Sequence, residues 1–265
     1  MSRTQVALVT GGAGAIGHAT ASMLAAHGWE VAVVDVDAVA ADQVARQITA
    51  AGQRAVAVGC DIGDEMSVDA AVAGVIAELG PIALLHNNAA ATELARAADP
   101  ALLDVTLDAW DEAMRVNLRG TFLMTRAVLP GMLAAGAVAI VNMSSTSGLV
   151  GGSAQTAYGV TKAGIIALTQ ATATQYGKQG IRCNAIAPGL IETPANAARH
   201  SGGRMREVML RQHLTPRLGV PDDVAAAVCW LASDASAFVT GTVIRVDGGF
   251  TAHSPVTNLA DPTAH

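Results

Sequence analysis

A doubly wound α/β domain, seven parallel strands with helices on both faces, is predicted by three observations. Short β-branched runs alternate with longer helical runs along almost the whole chain. Hydrophobic residues make up 51% of the 265 residues and charged residues only 14%, as strands buried on both faces require. No low-complexity linker or internal repeat breaks the alternation. Residues 1–250 therefore read as one domain, and 251–265 as a tail with two prolines and no periodicity.

The elements follow in order. Residues 5–10 form the first strand, and 15–27 a helix stopped by Gly28. Residues 30–35 are the second strand and 38–51 the second helix, ended by Gly52. A strand at 54–59 leads to a helix at 64–79, closed by Gly80-Pro81, and then to a strand at 82–86. One long helix is expected over 107–135, then a strand at 137–143 and a helix at 156–176. Residues 181–186 and 242–246 are the last two strands. Between them lies a helix at 221–233, with Asp222 and Asp223 at its positive end. Two segments interrupt the rhythm, 89–106 and 190–220. Connections this long in a compact domain are usually functional, and the second, about 190–220, reads as a substrate lid.

Composition excludes several classes. A net charge of −6 offers no basic footprint for nucleic acid. Cys60, Cys183 and Cys229 are far apart and odd in number, which argues for buried thiols rather than a disulfide framework. Seven histidines show no ligand spacing, so no metal site is expected. The N-terminus lacks a secretory layout, and the uncharged stretch 127–161 is broken by Pro130, by glycines and by a serine cluster. The cytoplasm is the expected compartment.

After the first strand comes Thr10-Gly11-Gly12-Ala13-Gly14-Ala15-Ile16-Gly17. A glycine-rich turn opening a helix lets backbone N–H groups meet a pyrophosphate. Asp35 ends the second strand 18 positions beyond Gly17, where a carboxylate accepts the adenosine ribose hydroxyls, and Val36 follows it. No Lys or Arg occupies 11–17 or 36–41 to offset a 2′-phosphate, so NAD is expected over NADP. The turn and the strand–helix alternation together make the fold Rossmann-type.

Tyr158 and Lys162 stand four apart on one helix face. An ammonium beside a phenol favours the phenolate, and a tyrosine tuned toward neutrality is a general acid–base. Ser144-Ser145-Thr146-Ser147 follows the fifth strand, at the carboxyl edge where such sheets bind ligands.

With these residues in view, the chain resembles a classical short-chain dehydrogenase/reductase. The family's glycine motif matches Thr10, Gly11, Ala15 and Gly17. Its N-N-A-G matches Asn87-Asn88-Ala89-Ala90, with Ala90 replacing glycine. Asn117, Ser145, Tyr158 with Lys162, Pro188-Gly189 with Thr193, and Val246-Asp247-Gly248-Gly249 match in order. The resemblance implies a catalytic set of Asn117, Ser145, Tyr158 and Lys162. In that set Tyr158 exchanges a proton with the substrate oxygen, Ser145 holds that oxygen, Lys162 lowers the tyrosine pKa and binds the nicotinamide ribose, and Asn117 fixes a water behind Lys162. Ser144 competes with Ser145, which is preferred on its spacing to Tyr158. The implied cofactor contacts are Gly11, Gly14, Ala15, Ile16, Gly17, Asp35, Val36, Asp61, Ile62, Asn88, Ala89, Ala90, Tyr158, Lys162, Pro188, Gly189, Ile191 and Thr193. Asp61 and Ile62 would flank the adenine, Asn88 would touch the adenosine side or brace the sheet, and Ile191 and Thr193 would hold the carboxamide.

The expected reaction interconverts a secondary alcohol and a ketone by hydride transfer. Substrate contacts are expected from Ser145, Leu149, Gly151, Gln155, Tyr158 and Leu190. These are mostly small or apolar, which suggests a hydrophobic or cyclic alcohol. Arg199, His200, Arg204, Arg206, Arg211 and His213 in the lid keep a polar or charged substrate, such as a sugar or hydroxyacyl compound, as the alternative. The resemblance also implies a homotetramer paired through the helices at 107–135 and 156–178 and the last strand and helix. Other readings are a non-catalytic NAD-binding regulator, an enoyl reductase, which usually has a wider Tyr–Lys spacing, and a methyl-transfer protein.

Overall fold

A computed structural model describes residues 5–136, 139–194 and 204–254. The strands are β1 (Val6–Thr10), β2 (Glu30–Asp35), β3 (Ala55–Gly59), β4 (Ile82–Asn87), β5 (Ala139–Met143), β6 (Arg182–Pro188) and β7 (Val243–Val246). The helices are α1 (Ala15–Ala26), α2 (Ala38–Ala50), α3 (Glu65–Leu79), α4 (Thr92–Ala97), α5 (Leu107–Ala113), α6 (Gly120–Ala135), α7 (Thr156–Tyr176), α8 (Arg204–Arg211) and α9 (Pro221–Ala232). All strand pairs are parallel, in the order β3-β2-β1-β4-β5-β6-β7. The expected doubly wound sheet is therefore present. Strand order reverses between β1 and β4, which opens a crevice beyond their carboxyl ends.

Neighbouring strand residues point to opposite faces, so the strands feed two cores. Leu8, Ala32, Leu85 and Ile140 pack on one face with Val72 of α3 and Met124 and Met132 of α6. Val9, Val33, Leu84 and Val141 pack on the other with Leu24 of α1, Val44 of α2 and Val228 and Leu231 of α9. Both layers are built from aliphatic side chains, as the 3% aromatic content demands.

The structure departs from the sequence reading in the connections. The single helix expected over 107–135 is α5 and α6 joined by a π-helical turn at Met114–Arg119. Pro130 lies on the exposed side of α6, where its missing N–H is tolerated, and the helix runs on to Ala135. The segment 89–106 contains α4, and the segment 190–220 contains α8. Arg199 and His200 lie outside the described residues, as do 255–265. The start of the expected tail folds back on the domain. Thr251 bonds to Asp247 through its N–H and its hydroxyl, and His253 Nε2 meets Gln212 O at 2.9 Å. Among the described residues no helix is long and apolar enough to cross a membrane, and no cluster of His, Cys, Asp and Glu could hold a metal.

Candidate active site

The glycines of the first turn have different physical reasons. Gly11 has φ +60°, and a Cβ there would lie 2.8 Å from Ala89 Cα. A Cβ on Gly17 would lie 2.0 Å from Gly11 O, so α1 approaches the turn only without a side chain. Gly14 is unlike them. Its φ of −71° suits any residue, and a Cβ would meet nothing closer than Gly11 O at 3.4 Å. The open space over Gly14 is the cradle a ligand needs for close backbone approach. No side chain caps α1 at Gly14, so Ala15, Ile16 and Gly17 begin a helix whose dipole faces that space.

Asp35, at the end of β2, closes one side of the cradle. Its Oδ2 accepts the Ala13 N–H at 3.0 Å and its Oδ1 the Asp37 N–H at 3.2 Å. Beside it Val36 is 76% exposed, an apolar surface on the rim of the site. These residues fit a dinucleotide: glycine backbone for the pyrophosphate, a carboxylate for the ribose, and exposed apolar surface for the base. Asn88 takes the bracing place of its two expected ones. Its Nδ2 donates to Thr10 O at 3.1 Å and Gly11 O at 3.0 Å, while the N–H groups of Asn88 and Ala89 donate to Thr10 Oγ1. Ala90 O accepts from Thr92 N–H at 2.8 Å.

Asp61 follows β3 and carries a partner that sequence reasoning missed. Arg115 Nη1 donates to its Oδ2 at 2.8 Å, and the same guanidinium pairs with Glu112 at 2.7 Å. These pairs push the Arg115 pKa further up and the Glu112 carboxyl down. A Cβ on Gly63 would strike Arg115, so the guanidinium lies across that glycine. The Ile62 side chain is buried against Gly120 rather than aimed at the cleft. Any contact from Ile62 to an adenine therefore falls to its backbone.

The catalytic edge is assembled from five segments. β5 delivers Ser144 and Ser145. Ser144 is buried and donates to Lys162 O at 2.8 Å, which commits its hydroxyl to the fold. Ser145 is half-buried, and its Oγ accepts the Ser147 N–H at 3.1 Å as cap of the 3-10 turn Thr146–Gly148. On α7, Lys162 is 1% exposed. Its Nζ lies 5.3 Å from the centroid of the Tyr158 ring and donates to Met143 O at 2.9 Å. Burial pushes the Lys162 ammonium down to about 8, so it stays mostly charged at neutrality. Asn117 sits on the π-helical turn. Its Oδ1 accepts the Ala91 N–H at 2.8 Å and its Nδ2 donates to Thr161 Oγ1 at 3.1 Å. The amide thus bridges the segment after β4 to α7 at Thr161, the residue just before Lys162.

Two further features were invisible in the sequence. Asn87 Nδ2 donates to Thr125 Oγ1 and Asn142 Oδ1, and Asn142 Nδ2 donates to Thr169 Oγ1. This buried chain ties α6 to α7 through β4 and β5. Asp99 caps the start of α7 from a distant loop. Neither pairing leaves a spacing signal, because the partners are remote in sequence.

Below the cleft, Gly189 packs so that a Cβ would meet Asp247 Cα at 2.9 Å, and its N–H donates to Val246 O. Pro188 is buried as the last residue of β6. Ile191 forms a parallel bridge with Gly219, which fastens the two ends of the segment 190–220. The Ile191 side chain is in the core, leaving its backbone to face a ligand. Thr193 and Leu190 flank it, half-buried. Of the expected substrate contacts, Leu149 and Gln155 are half-buried and Gly151 is exposed, all between the Ser145 turn and α7.

A family model described as enoyl-(acyl carrier protein) reductase matches residues 11–251. A probable short-chain type dehydrogenase/reductase of Bradyrhizobium diazoefficiens is 45% identical over 251 residues, 95% of this chain and 89% of the relative. The 7alpha-hydroxysteroid dehydrogenase of Bacteroides fragilis is 39% identical over 255 residues, 96% of this chain and 97% of the relative. The D-threitol dehydrogenase of Mycolicibacterium smegmatis is 39% identical over 249 residues, 93% of each chain.

Proposed function

The chain belongs to the classical short-chain dehydrogenase/reductase family, oxidoreductases that use a nicotinamide cofactor, and from that premise we propose an NAD-dependent dehydrogenase that interconverts a hydrophobic or cyclic secondary alcohol and its ketone. The observation that carries this reading is the buried Lys162 ammonium beside the Tyr158 ring, with Ser145 at the adjoining strand end. When bound, the nicotinamide supplies the hydride acceptor or donor. Tyr158 takes the hydroxyl proton, its phenolate favoured by the neighbouring cation. Ser145 holds the substrate oxygen, since the Ser144 hydroxyl is committed to Lys162 O. Asn117 braces the site through Ala91 and Thr161, and its π-helical turn sets it there. Asp35 accepts the adenosine ribose hydroxyls and repels a 2′-phosphate, with Asp37 adding like charge nearby.

The relative named for a hydroxysteroid supports the cyclic alcohol, and the one named for D-threitol supports the polar alternative. The enoyl reductase reading has the description of the matching family model behind it. The four-residue Tyr–Lys spacing and the relatives named as dehydrogenases favour the alcohol. A homotetramer is proposed from an apolar hollow lined by Met114, Leu118, Arg119, Phe122 and Leu168, where the π-helical turn packs against α7. Phe238, fully exposed near β7, offers a second contact.

The test is NADH absorbance with cyclic secondary alcohols, polyols and an enoyl thioester, each beside Tyr158→Phe. Turnover of cyclic alcohols that Tyr158→Phe abolishes is expected. Polyols turned over as fast would move the substrate to the alternative. An enoyl thioester as the only substrate would overturn the reaction class.

A further inference from the structure

Asp99 is a buried carboxylate, 6% exposed, that no step above uses. It lies two residues after α4. Its Oδ1 accepts the Ala157 N–H at 2.9 Å and its Oδ2 the Tyr158 N–H at 2.7 Å. Its carbonyl accepts the Gln155 N–H at 2.8 Å, and Pro100 O accepts the Thr156 hydroxyl at 3.1 Å. Four consecutive residues at the start of α7 therefore hang on two residues far upstream. Gln155 has φ +64°, the one positive φ at a non-glycine residue among those described. That conformation costs free energy and persists only where neighbours hold it. The Gln155 side chain makes no cap bond, so the acceptor normally supplied at a helix start comes here from Asp99.

We propose that Asp99 is a positioning residue for Tyr158. By gripping the backbone N–H of the tyrosine itself, it fixes the first turn of α7 and with it the aim of the phenol toward Ser145. It also places negative charge at the Tyr158 backbone, opposite in sign to Lys162, whose Nζ is 5.3 Å from the ring centroid. Among the other described charges nearby, Glu93 on α4 and Arg119 on the π-helical turn are exposed. Glu112 and Arg115 pair together and with Asp61, Glu192 pairs with Arg206, and Asp104, Asp108 and Asp111 are exposed. Asp99 and Lys162 thus act on the phenol with opposite sign. The inference rests on the reading of Tyr158 as proton exchanger.

The protein has two tyrosines, Tyr158 and Tyr176. In a Tyr176→Phe background, tyrosinate absorbance therefore titrates Tyr158 alone and needs no substrate. Adding Asp99→Asn is expected to lower that midpoint by about one pH unit, since a nearby negative charge is lost. It is also expected to cut kcat about tenfold while KM for NAD is unchanged, because the misplacement is local to α7. An unmoved midpoint, or a moved midpoint with unchanged kcat, overturns the proposal. Where Asp99→Asn does not fold, Asp99→Ser keeps one cap acceptor and is read the same way. Failure of both to fold assigns Asp99 to the fold alone and also overturns it. If the parent protein turns over no alcohol, the proposed function falls, and the midpoint by itself decides whether Asp99 acts on the phenol.

Discussion

The two sides of the cleft are built differently. The proposed cofactor side centres on a local turn, Thr10 to Gly17, which Asp35 meets from the adjacent strand by accepting the Ala13 N–H and which Asn88 braces from beyond β4. The proposed catalytic side is assembled at long range. Asn117 reaches Ala91 and Thr161, Asp99 reaches Ala157 and Tyr158, and Ser144 reaches Lys162. Backbone geometry carries the first side, and buried side-chain hydrogen bonds carry the second. Single substitutions should therefore fail differently on the two sides.

The largest effect should fall on the catalytic side without unfolding it. Tyr158→Phe removes the proposed proton carrier and is expected to lower kcat about a thousandfold, with thermal unfolding nearly unchanged. Full activity in that variant would break the comparison. On the cofactor side the fold should suffer instead. Gly17→Ala drives a methyl to 2.0 Å from Gly11 O and is expected to cost about 3 kcal/mol in urea unfolding, as overpacking does.

His86 sharpens the comparison from beneath the sheet. It is fully buried on β4, with Nδ1 against Val141 O and Nε2 without a partner among the described residues. Burial pushes its pKa down to about 4 from 6.5. Between those values the unfolded chain takes up a proton that the folded one refuses. Stability should then fall as pH drops from about 6.5 to about 4 and level off below, losing about 3 kcal/mol. Urea midpoints across that window check it, and His86→Leu should flatten this part of the slope.

Smaller effects separate fold from ligand on the cofactor side. Gly14→Ala should leave the unfolding midpoint in place, since its methyl meets only Gly11 O at 3.4 Å, yet raise KM for NAD about tenfold by filling the cradle. If the two glycine variants behave alike, the distinction between them fails. Asp35→Ala should narrow the preference for NAD over NADP by about tenfold, read from the ratio of kcat/KM values, as one repulsive charge is removed.

The doubly wound sheet was legible because parallel strands covered on both faces read as aliphatic runs between amphipathic helices. The glycine turn was legible because its work is done by backbone within eight residues, Thr10 to Gly17, and Tyr158 with Lys162 because four residues is one helix turn. Hydrophobic period could not separate α5, the π-helical turn and α6, since they continue one another along the chain. The sequence by itself thus determined the layers, the glycine turn and the residues offered for chemistry. Only the tertiary structure decided that Ser144 turns inward, that Arg115 holds Asp61, that Asn88 braces Thr10, and that Asp99 grips the first turn of α7. Each of these is a hydrogen bond between residues distant in the chain, and such partners meet only after the sheet has brought its strand ends together.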